Sequence, residues 1–213
     1  MANRENKPYP KHKRIALLTG NAVASGFDIE NRPTASRDAE RYAMTSESDI
    51  LSALKQRRDK GSLRPDTGMH SFGGLQPPIS IIEIQAAERL FGTSIPPFLA
   101  KIYGRIGNGG FGPDYGLLPL LRPDRYDVVH TSLSVRSAYG DDWPKDFLII
   151  GDQGCELYHC VDCSKPEGPV YLFTRDTAPE DIPSQWFLLI TETIHEYFAA
   201  WLDGTLPHPG HSD

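Results

Sequence analysis

Four potential metal ligands, Cys155, His159, Cys160 and Cys163, fall within nine residues, and Cys160 and Cys163 have the spacing of a zinc knuckle. A tetrahedral zinc needs its ligands to converge on one point. If residues 155–163 run as one extended strand, Cys155, His159 and Cys163 face one side and Cys160 the other, with Cys155 and Cys163 about 27 Å apart at ~3.3 Å per residue. The expectation is no metal, with the thiols packed as small hydrophobes; a zinc set of Cys155, His159, Cys160 and Cys163 requires the strand to break. Nucleophilic catalysis meets the same geometry. A Cys160 thiolate would need His159 as its base, yet neighbours on a strand point to opposite faces. His70, His130 and His195 are far apart in sequence, and His195 falls in the first turn of a helical pattern. The expectation is therefore against cysteine catalysis.

A second candidate chemistry is nucleotide binding. Gly107, Gly109 and Gly112 satisfy the G-x-G-x-x-G spelling, which lets backbone approach a pyrophosphate where a strand turns into a helix. Here the order is reversed: a helical pattern enters the glycines, and Pro113 with the apolar run 116–120 leaves them. Residues 17–26 faintly resemble the first turn of a nucleotide fold, but no amphipathic helix follows and Pro33 interrupts. The expectation is no cofactor, with Asn108, Gly109 and Gly110 forming a left-handed helix stop that reverses the chain into a strand over 116–120.

The elements around these residues read as follows. Ser46 and Asp49 open a helix with Ile50, Leu51 and Leu54 on one face, ending near Gly61. Ser80 and Glu83 form a capping box for a second helix, whose Ile84, Ala87, Leu90 and Phe91 recur at helical spacing before Gly92. Pro96 suits the first turn of a third, with Phe98, Leu99, Ile102 and Ile106 as its buried stripe. Residues 147–150, 157–161 and 170–173 are short apolar or alternating runs bounded by Gly, Asp and Pro, as strands are; the short connections imply antiparallel neighbours. Thr193 and Glu196 cap a last helix with Ile194, Tyr197, Phe198, Trp201 and Leu202 apolar before Gly204. Helices, then a sheet, then a helix predict an α+β domain: a central, mostly antiparallel sheet flanked by helices, preceded by an N-terminal extension with one helix.

Composition bounds the function. Of 213 residues, 39% are hydrophobic and 10% aromatic, enough for a core. No apolar run approaches the roughly 18 residues of a membrane span. Three cysteines crowded between 155 and 163 do not resemble a disulfide framework and fit a reducing, cytoplasmic setting. Charge divides sharply at the Pro77-Pro78 pair. Residues 1–78 carry 13 Lys+Arg and 9 Asp+Glu, net +4, whereas 79–213 carry 9 and 19, net −10. Such acidity repels nucleic acid and anionic membrane and favours a basic protein partner. The basic cluster Lys11-His12-Lys13-Arg14 reads as a solvated tail. The division is an N-terminal extension over 1–45, expected to be partly mobile, a helix and linker over 46–78, a domain over 79–205 and a tail over 206–213.

The ordered motifs of that domain resemble a known family. Ala87-Glu88 with Leu90 and Gly92, then Ile95-Pro96 and Tyr103, then Asn108-Gly109-Gly110-Phe111-Gly112 and Tyr115-Gly116-Leu117-Leu118, are similar to the SUKH superfamily, in particular its Smi/Knr cell-wall-assembly-regulator branch. Further along, Gly151-Asp152-Gln153-Gly154 before Leu157-Tyr158, the strand 168–172 and the closing helix 198–204 resemble that family's later elements. The resemblance covers Pro78 to Gly204 and implies one α+β domain without enzymatic activity. Many bacterial members are immunity proteins that bind toxins, often nucleases or nucleic-acid-modifying enzymes; others are regulatory interaction modules. It marks no binding residues, because the shared motifs are turns and core.

Contact residues must therefore be sought in loops. Asp114, Tyr115, Asp141, Asp142, Trp143 and Asp152 lie in turns leading into or out of predicted strands and form the candidate partner surface, since Tyr and Trp bury much area at low entropic cost. For Tyr115 and Trp143 the alternative is that they cap the core. The expected assembly is a monomer or weak dimer bound to a basic toxin domain.

Overall fold

A computed structural model describes residues 46–68, 74–124, 126–175 and 182–207. Within them the chain forms α1 (Glu47–Asp59), α2 (Ile81–Phe91), α3 (Pro97–Arg105), α4 (Val128–Tyr139), β1 (Phe147–Asp152), β2 (Tyr158–Asp162), β3 (Val170–Phe173), β4 (Phe187–Thr191) and α5 (Ile194–Leu202). The strands make one antiparallel sheet in the order β1-β2-β3-β4, which gives the α+β class. His70 and the extension 1–45 lie outside the described residues.

Local chemistry sets the helix limits. Ser46 accepts from the Asp49 amide to start α1, and reciprocal boxes of Ser80 with Glu83 and Thr193 with Glu196 start α2 and α5. Each such cap stabilises by about 1 kcal/mol. Gly92 stops α2 in the left-handed region at φ 94°.

The two faces of the sheet are covered differently. Tyr158, Phe173 and Phe187 are cross-strand partners and so share one face, where Tyr139 at the end of α4 and Trp143 just beyond it pack on them. His159 points to the opposite face, where its Nδ1 lies 2.6 Å from the Tyr197 hydroxyl of α5. α1 closes that side: Arg57 donates to the Leu202 carbonyl and Lys101 pairs with Glu47.

The run over 116–120 differs from its expected strand. Leu117 bridges Gly151, and the Leu118 amide donates to Ile150 at 2.9 Å. No ladder continues, because β1 carries a register shift between Ile149 and Gly151 that throws its outer edge out of phase. Ser132 of α4 takes over part of that edge, accepting from the Ile149 amide at 2.8 Å while donating to Val128 O. Ser132→Ala would leave that buried amide unpaired. It should cost about 1–3 kcal/mol in urea unfolding, and a change under half of that would refute the assignment.

Two elements were not anticipated. In α4, Val128, Val129, Thr131 and Val135 are β-branched and only Val128, Val129 and Ser132 are buried, so no apolar stripe announces a helix. The Asp127 cap, whose side chain accepts from the His130 amide, and packing on β1 make it helical. β4 is a run of four apolar residues closed by Thr191, which periodicity cannot assign. One core assignment also fails: Leu90 faces solvent, because the α2 register that buries Ile84, Ala87 and Phe91 turns it outward.

Candidate functional site

The turn between β1 and β2 gathers polar and aromatic groups that the sequence scatters over 45 residues. Gly154 takes φ 79°, and Cys155 and Glu156 follow in the left-handed region at 52° and 60°. The segment 155–163 is thus a turn followed by a strand from Tyr158, which corrects the single extended strand assumed for the zinc argument. Breaking the strand does not assemble a site: Cys155 is exposed, Cys160 and Cys163 are buried, and among the described residues no three His, Cys, Asp or Glu side chains converge as a metal requires. Burial pushes the Cys160 thiol well above its ordinary value, which disfavours a thiolate, and its Sγ lies 3.8 Å from Tyr158 O.

His159 serves a different purpose. The Gln153 amide nitrogen sits 2.6 Å from Asp114 Oδ2 and 2.8 Å from His159 Nε2. Gln153 thus bridges Asp114 and His159, whose other ring nitrogen faces the Tyr197 hydroxyl. This chain of bonds ties the turn to α5 and orients Asp114, itself at φ 52°. His130 and His195 have separate commitments. His130 Nδ1 lies 2.8 Å from the buried Asp127, and His195 stacks on Phe98 at 4.0 Å while pairing with Glu47 at 3.3 Å.

Above the turn stand three phenols and two carboxylates. Tyr126 donates to Asp152 Oδ2 at 2.9 Å, and Tyr139 donates to Glu156 Oε2 at 3.4 Å. Tyr158 lies between them, half-buried, at the start of β2. Burial, then the Asp152 bond and charge, push the Tyr126 phenol up to about 12; burial, then Asp152 and Glu156, do the same for Tyr158. Raised phenols favour the folded state below the ordinary tyrosine value near 10, and that contribution is lost as pH rises through about 12. Ultraviolet titration of Asp152→Asn should therefore show Tyr126 and Tyr158 ionising earlier than in the parent. Superimposable curves would show that Asp152 does not hold the Tyr126 proton.

Of the six contact candidates, Asp114, Tyr115 and Asp152 meet here: Asp114 through Gln153, Asp152 through Tyr126, and Tyr115 with its ring beside Gly154. Asp141 and Asp142 are exposed in the short helical turn after Tyr139, at the same end of α4. Trp143 is different. Only 2% exposed, it is part of the aromatic core and takes the role of capping it, so it presents no surface. Sequence reasoning missed Tyr126, Tyr139, Tyr158 and Glu156. The alternation of tyrosine with acid after predicted strand ends was the available signal.

Two cations border this surface. Arg122 pairs with Asp124 at 2.7 Å, and the Arg175 guanidinium lies 5.2 Å from the ring centres of both Tyr139 and Trp186. Aromatic rings here accept a cation readily, and the carboxylates add attraction. The described residues thus offer an acidic, tyrosine-rich surface as the candidate site, with the β1–β2 turn beneath it. No helix among them is long and apolar enough to cross a membrane.

Comparison with known proteins gives the lineage. A search of curated proteins found no match. A family model for the SMI1 / KNR4 family (SUKH-1) matches residues 78–204, more than half the chain, from the linker before α2 through the last helix. Those residues hold the whole sheet and the surface just described. The chain belongs to the SMI1 / KNR4 family (SUKH-1).

Proposed function

We propose that this chain is a non-enzymatic immunity protein that neutralises a bacterial toxin, of nuclease or nucleic-acid-modifying type, by direct binding. The observation that carries this reading is the tyrosine-and-carboxylate surface at the β1–β2 turn, formed by Tyr126, Tyr139, Tyr158, Asp152 and Glu156. Tyrosines supply anchoring area and carboxylates supply steering toward a basic face, which is the face a nuclease presents to its substrate. Net charge of −10 over residues 79–213 acts in the same direction and opposes binding to nucleic acid or anionic membrane. The interaction is expected in the cytoplasm, where such a toxin acts.

A second reading, a regulatory scaffold for an endogenous partner, is favoured by the extension before the domain, net +3 over residues 1–45, which is long enough to act as a tether. Co-expression with the product of the adjacent gene separates the two. Rescue from a lethal neighbour, with a complex on the order of nanomolar affinity, supports immunity. A harmless neighbour that forms no complex would remove the toxin reading and leave the scaffold.

A further inference from the structure

Arg175 differs from the other arginines that lie against aromatic rings. Arg57 over Trp201 and Arg136 over Phe91 each meet one ring and also donate to a backbone carbonyl, of Leu202 and Lys145, so they serve the fold. The Arg175 guanidinium instead lies 5.2 Å from the ring centres of both Tyr139 and Trp186, which meet edge to face at 5.6 Å. The preceding residue, Thr174, donates its amide to the Trp186 carbonyl at 2.7 Å, which extends the β3–β4 pairing and sets Arg175 beside the indole. Glu156 borders this cleft from the β1–β2 turn, accepting from the Tyr139 hydroxyl through Oε2. Among the described residues its other oxygen, Oε1, makes no bond.

Two features suit the cleft to an exchangeable cation. Trp186 is only 3% exposed, yet its Nε1 has no acceptor among the described residues. A buried donor without a partner costs stability, and a phenylalanine would fill the same space without that cost. What indole adds over phenyl is the strongest aromatic face for a cation. The second feature is the cation already in place. Arg175 is exposed and lies past the end of β3, so its side chain can swing out without breaking a strand. A planar guanidinium stacks on aromatic rings and reaches a carboxylate with directed N–H groups, whereas an ammonium is a compact, strongly hydrated point charge.

We propose that the Tyr139–Trp186 cleft is an arginine-binding subsite, held in the free chain by Arg175 and taken over in the complex by an arginine of the protein partner. This rests on the reading of the β1–β2 surface as the partner site, and it narrows the partner from any basic face to one that projects an arginine beside Glu156. Exchanging one guanidinium for another keeps the rings covered, so the gain comes from Glu156 Oε1 and the contacts around it. Lysine has no such foothold. It would replace a stacked guanidinium with a poorer match.

Titration of the full chain with hexa-arginine and with hexa-lysine at about 0.15 M salt tests this, read by NMR on the tryptophan indole N–H signals. The two peptides carry equal charge, so the acidic surface attracts both alike and any difference between them isolates the cleft. The Trp186 signal, identified by its loss in Trp186→Phe, should move with hexa-arginine while that of Trp201 stays. The parent should bind hexa-arginine at least about threefold more tightly than hexa-lysine. Arg175→Ala, with its fold confirmed by circular dichroism, should widen that ratio to about tenfold or more. Loss of a positive charge alone would strengthen both peptides equally and leave the ratio where it was. Equal affinity for the two peptides, an unmoved Trp186 signal, or a ratio indifferent to Arg175→Ala each overturns the proposal. No toxin enters this experiment. Its failure therefore leaves the immunity reading standing without an arginine subsite, and a harmless neighbour in co-expression leaves a discriminating cleft in place for another partner.

Discussion

Gly109→Val is expected to remove most of the stability of the domain. Gly109 sits at φ 81°, where an L side chain costs about 1–2 kcal/mol from the backbone alone. Space adds a larger penalty: a Cβ there would stand 2.7 Å from Leu117 O and from Pro119 N, both backbone atoms that cannot swing away. Those atoms lie in the segment docked on β1 through Leu118, so yielding at Gly109 means lifting that segment from the edge of the sheet. Together the effects amount to roughly 4 kcal/mol or more, against the 5–15 kcal/mol typical of a domain. Gly92→Ala is the control. Its φ is 94° but nothing lies within 4 Å of the added atom, so about 1 kcal/mol is expected. Equal losses in urea unfolding at the two positions would contradict the packing argument. Added ATP or NAD should leave the parent's melting temperature unchanged, since the glycines serve the turn and not a phosphate.

Trp143→Ala should follow closely in size. The indole packs against Phe173 at 5.0 Å, Phe187 at 5.2 Å and Tyr139 at 5.9 Å, and its Nε1 lies 3.4 Å from Phe147 O. Removing a buried aromatic of this kind costs about 3–5 kcal/mol. Asp141→Ala and Asp142→Ala, two and one residues earlier and exposed, should change stability by less than about 0.5 kcal/mol. A Trp143 variant that is nearly as stable as the parent but loses partner affinity would return this residue to the contact surface.

The comparison of these two sites explains what the sequence could reveal. Helix starts were readable because capping is local: Ser80 with Glu83 and Thr193 with Glu196 act over three residues, and both boxes form. The buried stripes of α3 and α5 were readable for the same reason, since 3.6-residue periodicity survives in the letters. α4 was not, because its helicity comes from Asp127 at one end and the sheet beneath it, against the preference of its valines. Trp143 illustrates the limit at the site. A Trp after two aspartates reads as an exposed anchor, and only the cross-strand meeting of Phe173 and Phe187 shows that a cavity waits for it. Likewise Tyr126 and Asp152 are 26 residues apart and meet only because the β1–β2 turn folds beneath the α4 entry.

The proposed contact surface rests on few side chains, which makes it open to a direct trial. Glu156 is exposed on the turn and Tyr126 is 47% exposed, so both can be changed without opening the core, and Asp152 can be left in place to bond the Gly154 amide. The decisive measurement is the affinity of the full chain for the product of the adjacent gene, compared with that of the double variant Tyr126→Ala, Glu156→Lys across a range of salt. Loss of about 100-fold or more at low salt, expressed largely in a slower association rate and narrowing as salt rises, is the predicted result. Unchanged affinity in the folded double variant would contradict the account and place the binding surface elsewhere on the domain.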